Sequence, residues 1–219
     1  MPVHLFICRL CLAGAIAVAP VAVLAGAPSL SGIVTSSDGR RIADAVVFVQ
    51  SPVQTSKGAK PPQMVDQVSK TFVPGLLPVE VGTLVRFPNH DQIHHHVYSF
   101  SPAKTFELPL YKGEDAPAVL LDKVGVVKIG CNIHDWMSGI ILVLPSAHFA
   151  VTDANGRFVL EDLPPGNYVV AAWHAQSKLK PEEAAQSVTL AHEPAHLDFT
   201  LPLAPARPRP SVHGVRAER

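Results

Sequence analysis

The chain has 219 residues, in which 18 Lys and Arg balance 18 Asp and Glu. This balance gives no long-range field to attract nucleic acid or an acidic membrane surface, so we exclude nucleic acid as a partner. Twenty-one prolines and 14 glycines interrupt short Val-rich runs too often for long helices. The composition therefore predicts an all-β protein.

The first 27 residues have the layout of a secretion signal. An apolar stretch, Leu10–Leu24, follows Arg9 and ends in small residues. The stretch is 15 residues long, shorter than the ~20 that a spanning helix needs. We predict a signal peptide over 1–27, cleavage, a periplasmic location and no stable membrane span afterwards; an uncleaved anchor is the alternative.

The predicted mature chain contains a single cysteine. Cys8 and Cys11 lie within the predicted signal, so the mature chain keeps only Cys131 and forms no internal disulfide. A lone thiol in an oxidising compartment needs protection or a use. The segment GCNIHDWMSG places Cys131, His134 and Met137 in a CxxHxxM pattern directly after an alternating run predicted as a strand.

A second imidazole is available from the run FPNHDQIHHHVYSF. Four histidines precede or begin the next predicted strand: His90, His94, His95 and His96. Because side chains alternate along a strand, His95 shares a face with Val97 and Ser99, whereas His94 and His96 point to the other face. We predict His95 as the ligand. A thiolate, two imidazoles and a weak thioether suit copper in both of its oxidation states.

These residues resemble the plastocyanin and amicyanin group of blue copper proteins, the cupredoxins, over about 68–144. VEVGTLVRFPN, HHVYSF and CNIHDWM are similar to that family's strand and ligand-loop motifs, in the same order. The resemblance implies one copper ion and these roles: first imidazole His95, thiolate Cys131, second imidazole His134, axial thioether Met137, and Asn89 as the residue that braces the cysteine loop.

Two other metal hypotheses remain open. A site of one Cys and two His with an open position resembles catalytic zinc, but Met is a poor zinc ligand and no motif positions a general base. His90, His94 and His96 form either a second, weaker metal site or a solvated strand end.

The flanking segments resemble a different module. Residues 31–49 and 151–173 carry turn signals between alternating strands, and together they resemble a carboxypeptidase regulatory-like, transthyretin-like sandwich. We predict 30–58 and 147–203 as its two parts, 62–146 as an inserted or joined cupredoxin domain, and 204–219 as a disordered tail. Alternatively, Ala45–Val49 is the first strand of the copper barrel. The combination also resembles methylamine-utilisation-type cupredoxins.

The predicted function is single-electron transfer in the periplasm between redox proteins, such as a cytochrome or an oxidoreductase, without enzymatic turnover. Trp136 beside His134 is predicted either to form part of a docking surface or to cover the site as a lid. Two alternatives are a copper storage or delivery protein, and a glycan- or protein-binding sandwich with a structural metal.

Overall fold

The protein is described from a computed structural model, which covers residues 28–52, 58–113 and 118–204. The predicted signal peptide lies outside these residues, as does the predicted tail apart from Ala204. The described part contains strands and no helix, so the all-β prediction is confirmed. It accordingly contains no helix long and apolar enough to cross a membrane.

The strands run in chain order along the whole described part. They are β1 (Leu30–Ser36), β2 (Val46–Ser51), β3 (Gln63–Met64), β4 (Asp66–Val68), β5 (Thr71–Val73), β6 (Leu76–Glu80), β7 (Thr83–Arg86), β8 (His95–Ser101), β9 (Lys104–Tyr111), β10 (Val119–Leu121), β11 (Gly125–Gly130), β12 (Ser138–Leu144), β13 (Phe149–Val151), β14 (Arg157–Leu160), β15 (Gly166–Trp173), β16 (Ala185–Leu190), β17 (Ala195–His196) and β18 (Phe199–Leu201).

The first and last strands of the described part form one sandwich. One sheet has the order β14-β1-β17, with β18 also pairing β1, and the other has the order β13-β2-β15-β16. Strand β1 alternates between buried and half-buried residues, as expected for a strand with one face on a core. Leu30 and Val34 of β1 pack with Val47 and Val49 of β2 in that core.

The middle strands form a second sandwich. A five-stranded sheet has the order β6-β12-β11-β8-β9, a three-stranded sheet has the order β10-β7-β3, and β4 and β5 form a hairpin. Phe72, Phe87 and Val97 lie in the core between them. Cys131 and Met137 belong to the same buried cluster, so the metal-ligand candidates lie at the margin of a packed core.

The two sandwiches meet through a third apolar cluster. Val46 and Phe48, on the outer face of β2, pack against Leu142 and Leu144 of β12, with Trp173 beside them. In the described residues, β1 and β2 pair only with strands that follow residue 148, and β3–β12 pair only with one another. Insertion of one sandwich into a loop of the other would produce this pairing; the transthyretin-like identity of the outer one stays a prediction.

Candidate metal centre

The loop between β11 and β12 holds three of the predicted ligands. The strands pair from Gly125 and Val143 up to Gly130 and Ser138, so the loop 131–137 closes one end of the sheet. The Cys131 N–H donates to the Met137 carbonyl at 3.1 Å, and the Met137 N–H donates to the His134 carbonyl at 2.9 Å. These bonds fold the loop tightly, and the side chains of Cys131 and His134 come together within it.

His95 completes the group from the neighbouring strand. The first residue of β8, it is fully buried, as are Val97 and Ser99 two and four residues further on. These three residues are buried as the predicted alternation requires, and His96 between them is buried as well. The Nδ1 atoms of His95 and His134 lie 3.7 and 3.8 Å from the Cys131 Sγ atom.

These three side chains are placed to share one metal ion. Their donor atoms all lie within 4.8 Å of one another, and this is the one such group of His, Cys, Asp or Glu found in the described residues. With the bond lengths typical of zinc, about 2.3 Å to sulfur and about 2.1 Å to nitrogen, at an angle of roughly 110–120°, the two donor atoms lie about 3.6–3.8 Å apart. The observed sulfur–nitrogen distances fit that spacing.

Met137 lies in the loop as a buried side chain. It is 2% exposed and belongs to the cluster that contains Cys131 and Ile129. Its backbone hydrogen bonds tie it to both Cys131 and His134. Its place in the loop is thus fixed by packing and by the backbone, and its role as an axial ligand stays a prediction.

Asn89 braces a different loop from the one predicted. Its Nδ2 donates to the carbonyls of Ile93 and Tyr111, each at 3.0 Å, and its Oδ1 accepts the Asp91 N–H at 3.0 Å. The prediction that Asn89 braces the Cys131 loop is wrong in this respect. Because its partners lie between residues 91 and 111, Asn89 shapes the segment that leads into His95 instead.

Asp91 is not among the site residues that the sequence predicts. Its Oδ2 lies 2.8 Å from the His95 Nε2, and its side chain is 14% exposed. Burial by itself would raise the pKa of Asp91, but hydrogen bonds from the Lys70 amide, His95 and the Ser69 amide outweigh it and lower that pKa. Asp91 is therefore an ionised carboxylate next to a candidate ligand.

The remaining histidines of the segment are engaged separately or exposed. The His90 Nδ1 lies 2.8 Å from the Asp66 carboxylate, and the His96 Nε2 lies 2.9 Å from Glu107. His94 is exposed. His96 points away from the His95 face as predicted, but it is buried rather than solvated. The structure does not bring these three histidines together as a second three-ligand cluster.

Two exposed apolar side chains lie over the candidate centre, next to the exposed polar residues Asn132 and Asp135 of the same loop. Trp136 is 69% exposed, Ile133 is 51% exposed, and the ring centroids of Trp136 and His134 lie 5.3 Å apart. His134 itself is half-buried. Trp136 therefore stands beside the partly accessible imidazole rather than being buried over it as a lid.

No protein family profile matches the chain, and no curated protein matches it either. Solved structures resemble part of it. A purple cupredoxin from Nitrosopumilus maritimus is 24% identical over 37% of this chain and 98% of its own, with a TM-score of 0.33. An oxidised single-site variant of amicyanin is 22% identical over 46% of this chain and 98% of its own, with a TM-score of 0.35. A copper-containing nitrite reductase from Thermus scotoductus is 28% identical over 41% of this chain but only 25% of its own, with a TM-score of 0.36.

Proposed function

We propose that this protein is a type 1 copper protein of the cupredoxin kind that carries single electrons between redox partners. Copper would be held by His95, Cys131, His134 and Met137. The observation that carries the proposal is the position of the Cys131 thiol, buried at 4% exposure with two imidazole nitrogens at 3.7 and 3.8 Å.

The donor set favours copper over zinc. One thiolate, two imidazoles and a nearby thioether are the ligands typical of electron-transfer copper sites, whereas catalytic zinc keeps an open position for water. His95 and Cys131 are both buried, and Met137, the remaining donor of the loop, is buried with them. Bound copper would supply a reversible one-electron couple.

The protein residues would keep the site rigid. Cys131, His134 and Met137 are linked by two backbone hydrogen bonds, and His95 is held by a carboxylate. Ligands that are fixed by packing do not rearrange between oxidation states, which keeps electron transfer fast. Burial would also protect the Cys131 thiol from unwanted oxidation.

The apolar surface of Trp136 and Ile133 would be the docking site for a redox protein such as a cytochrome or an oxidoreductase. Its side chains lie next to the half-buried ring of His134, so a partner seated there would come close to the centre. A small apolar contact suits a transient redox encounter. We further propose that the protein works in the periplasm after removal of residues 1–27.

Copper storage or delivery is less well supported. A capture site would need several ligands close together, yet His90, His94 and His96 do not form a three-ligand cluster. The buried centre offers one ion a rigid setting rather than an easy exit.

The test is to add one equivalent of copper(II) to the purified protein and record visible and EPR spectra. We expect an intense thiolate-to-copper absorption that ascorbate bleaches and ferricyanide restores. His95→Ala should abolish this absorption, and His96→Ala is the matched control because His96 faces Glu107 instead of Cys131. Copper binding without the absorption, or loss of the absorption in His96→Ala but not in His95→Ala, would contradict the proposal.

A further inference from the structure

The carboxylate of Asp91 stands directly behind the candidate ligand His95. The Asp91 Oδ2 lies 2.8 Å from the His95 Nε2, and the opposite ring nitrogen, Nδ1, lies 3.7 Å from the Cys131 Sγ. The imidazole is fully buried. One ring nitrogen thus faces a carboxylate and the other faces the metal centre.

Asp91 is itself held by a turn from another part of the chain. Its two carboxylate oxygens accept the N–H groups of Ser69 at 2.6 Å and Lys70 at 2.8 Å. Both residues have positive φ, 53° and 57°, and such a turn between β4 and β5 points consecutive amides at one anion. The Asp91 N–H also donates to Asn89. The carboxylate therefore has little freedom to move away from His95.

On this geometry, and resting on the proposed function, we propose that Asp91 is a positioning residue for the copper centre that favours copper(II) over copper(I). It would accept the His95 Nε2–H, which leaves the Nδ1 lone pair free to bind the metal. A carboxylate that accepts a ligand imidazole's second N–H fixes the ring's tautomer and orientation and increases its basicity.

The direction of the effect follows from charge. The Asp91 negative charge is shielded from water by the surrounding chain, and it acts on the centre through a hydrogen-bonded imidazole. It stabilises the more highly charged copper(II) more than copper(I). Loss of this charge should therefore raise the reduction potential.

The test variant is Asp91→Asn, which keeps the side-chain size and one acceptor oxygen but removes the charge. Asp66→Asn is a matched control. Asp66 also lies 2.8 Å from a histidine nitrogen, but that histidine is His90, which is not among the proposed copper ligands. The measurements are copper(II) and copper(I) affinities by competition with chelators, and the reduction potential by voltammetry.

We expect Asp91→Asn to weaken copper(II) binding by about 10–100-fold, to change copper(I) binding less, and to raise the potential. Asp66→Asn should leave all three values at those of the unaltered protein. The proposal is overturned if Asp91→Asn binds copper with an unchanged potential, or if both variants shift the potential equally.

A measurement on the unaltered, copper-free protein covers the case in which Asp91→Asn does not fold. Nitrogen-15 NMR should show His95 protonated at Nε2 and unprotonated at Nδ1. The opposite tautomer would overturn the proposal. The two hypotheses fail separately. Absence of the thiolate–copper absorption in the unaltered protein counts against the proposed function, whereas an unchanged potential in a blue Asp91→Asn protein counts against Asp91 alone.

Discussion

Met137 has two predicted roles, packing and copper ligation, and two substitutions separate them. Met137→Ala removes Cγ, Sδ and Cε from a side chain that is 2% exposed. Truncation of a buried Met to Ala costs about 2–5 kcal/mol of the free energy of unfolding. Met137→Leu also removes the sulfur but nearly conserves the volume, and its expected cost is below about 1.5 kcal/mol.

Both variants should keep the thiolate–copper absorption, because Cys131, His95 and His134 remain in place. Met137→Leu should raise the reduction potential, since the thioether adds electron density that stabilises copper(II), and the axial ligand is one of the features that tune such sites. Urea unfolding of the copper-free proteins measures the effect of Met137 packing on the free energy of unfolding. Voltammetry of the copper-loaded proteins measures the effect of the thioether on the reduction potential. A potential in Met137→Leu equal to that of the unaltered protein would refute the axial role. Unaltered stability in Met137→Ala would refute the packing role.

Three further predictions concern the surface, the pH response and the outer sandwich. Trp136→Lys should slow electron self-exchange between copper(I) and copper(II) copies, measured by NMR line broadening, without altering the visible spectrum. The control is Val159→Lys, at an exposed apolar position on β14. Loss of the visible spectrum in Trp136→Lys would show that Trp136 is structural instead. Burial raises the pKa of Tyr111 from 10.0 to about 12. The neutral Tyr111 side chain therefore makes its full contribution to the free energy of unfolding below about pH 10 and loses it as the pH rises through about 12. Unfolding midpoints at about pH 9 and about pH 11 should therefore differ less in Tyr111→Phe than in the unaltered protein, and an equal difference would count against this reasoning. Gly32→Ala should lower the unfolding temperature of the copper-free protein sharply, because the added Cβ would lie 1.9 Å from the Leu197 carbonyl oxygen. An unchanged unfolding temperature would mean that β1 and the backbone at Leu197 do not approach so closely.

The loop ligands could be predicted from the sequence because their spacing is local. Cys131 and His134 lie within one short loop that its own backbone hydrogen bonds close, so the residues between them determine the geometry. His95 could be predicted because alternation along a strand is also local, and Val97 and Ser99 are buried on the same face as expected.

The contacts that the sequence does not predict depend on distant segments. Asp91 precedes His95 by four residues, but this stretch is irregular, and spacing in irregular chain does not determine where a side chain points. The turn at Ser69 and Lys70 determines it here. Likewise, His96 is buried and pairs with Glu107 on the adjacent strand β9, and the pairing of β8 with β9 is not evident from either strand alone.

The two imidazoles of the candidate centre differ in a way that separates two functions. His95 is buried and backed by the Asp91 carboxylate, whereas His134 is half-buried and stands beside the exposed ring of Trp136. Charge behind His95 would act on the relative stability of the two copper oxidation states, because that side of the centre is shielded from water. On the proposed function, the apolar side chains beside His134 would act on the approach of a partner, because they lie on the side that a partner can reach. Substitution of Asp91 should therefore change the potential with little effect on docking, and substitution of Trp136 should change electron exchange with little effect on the potential.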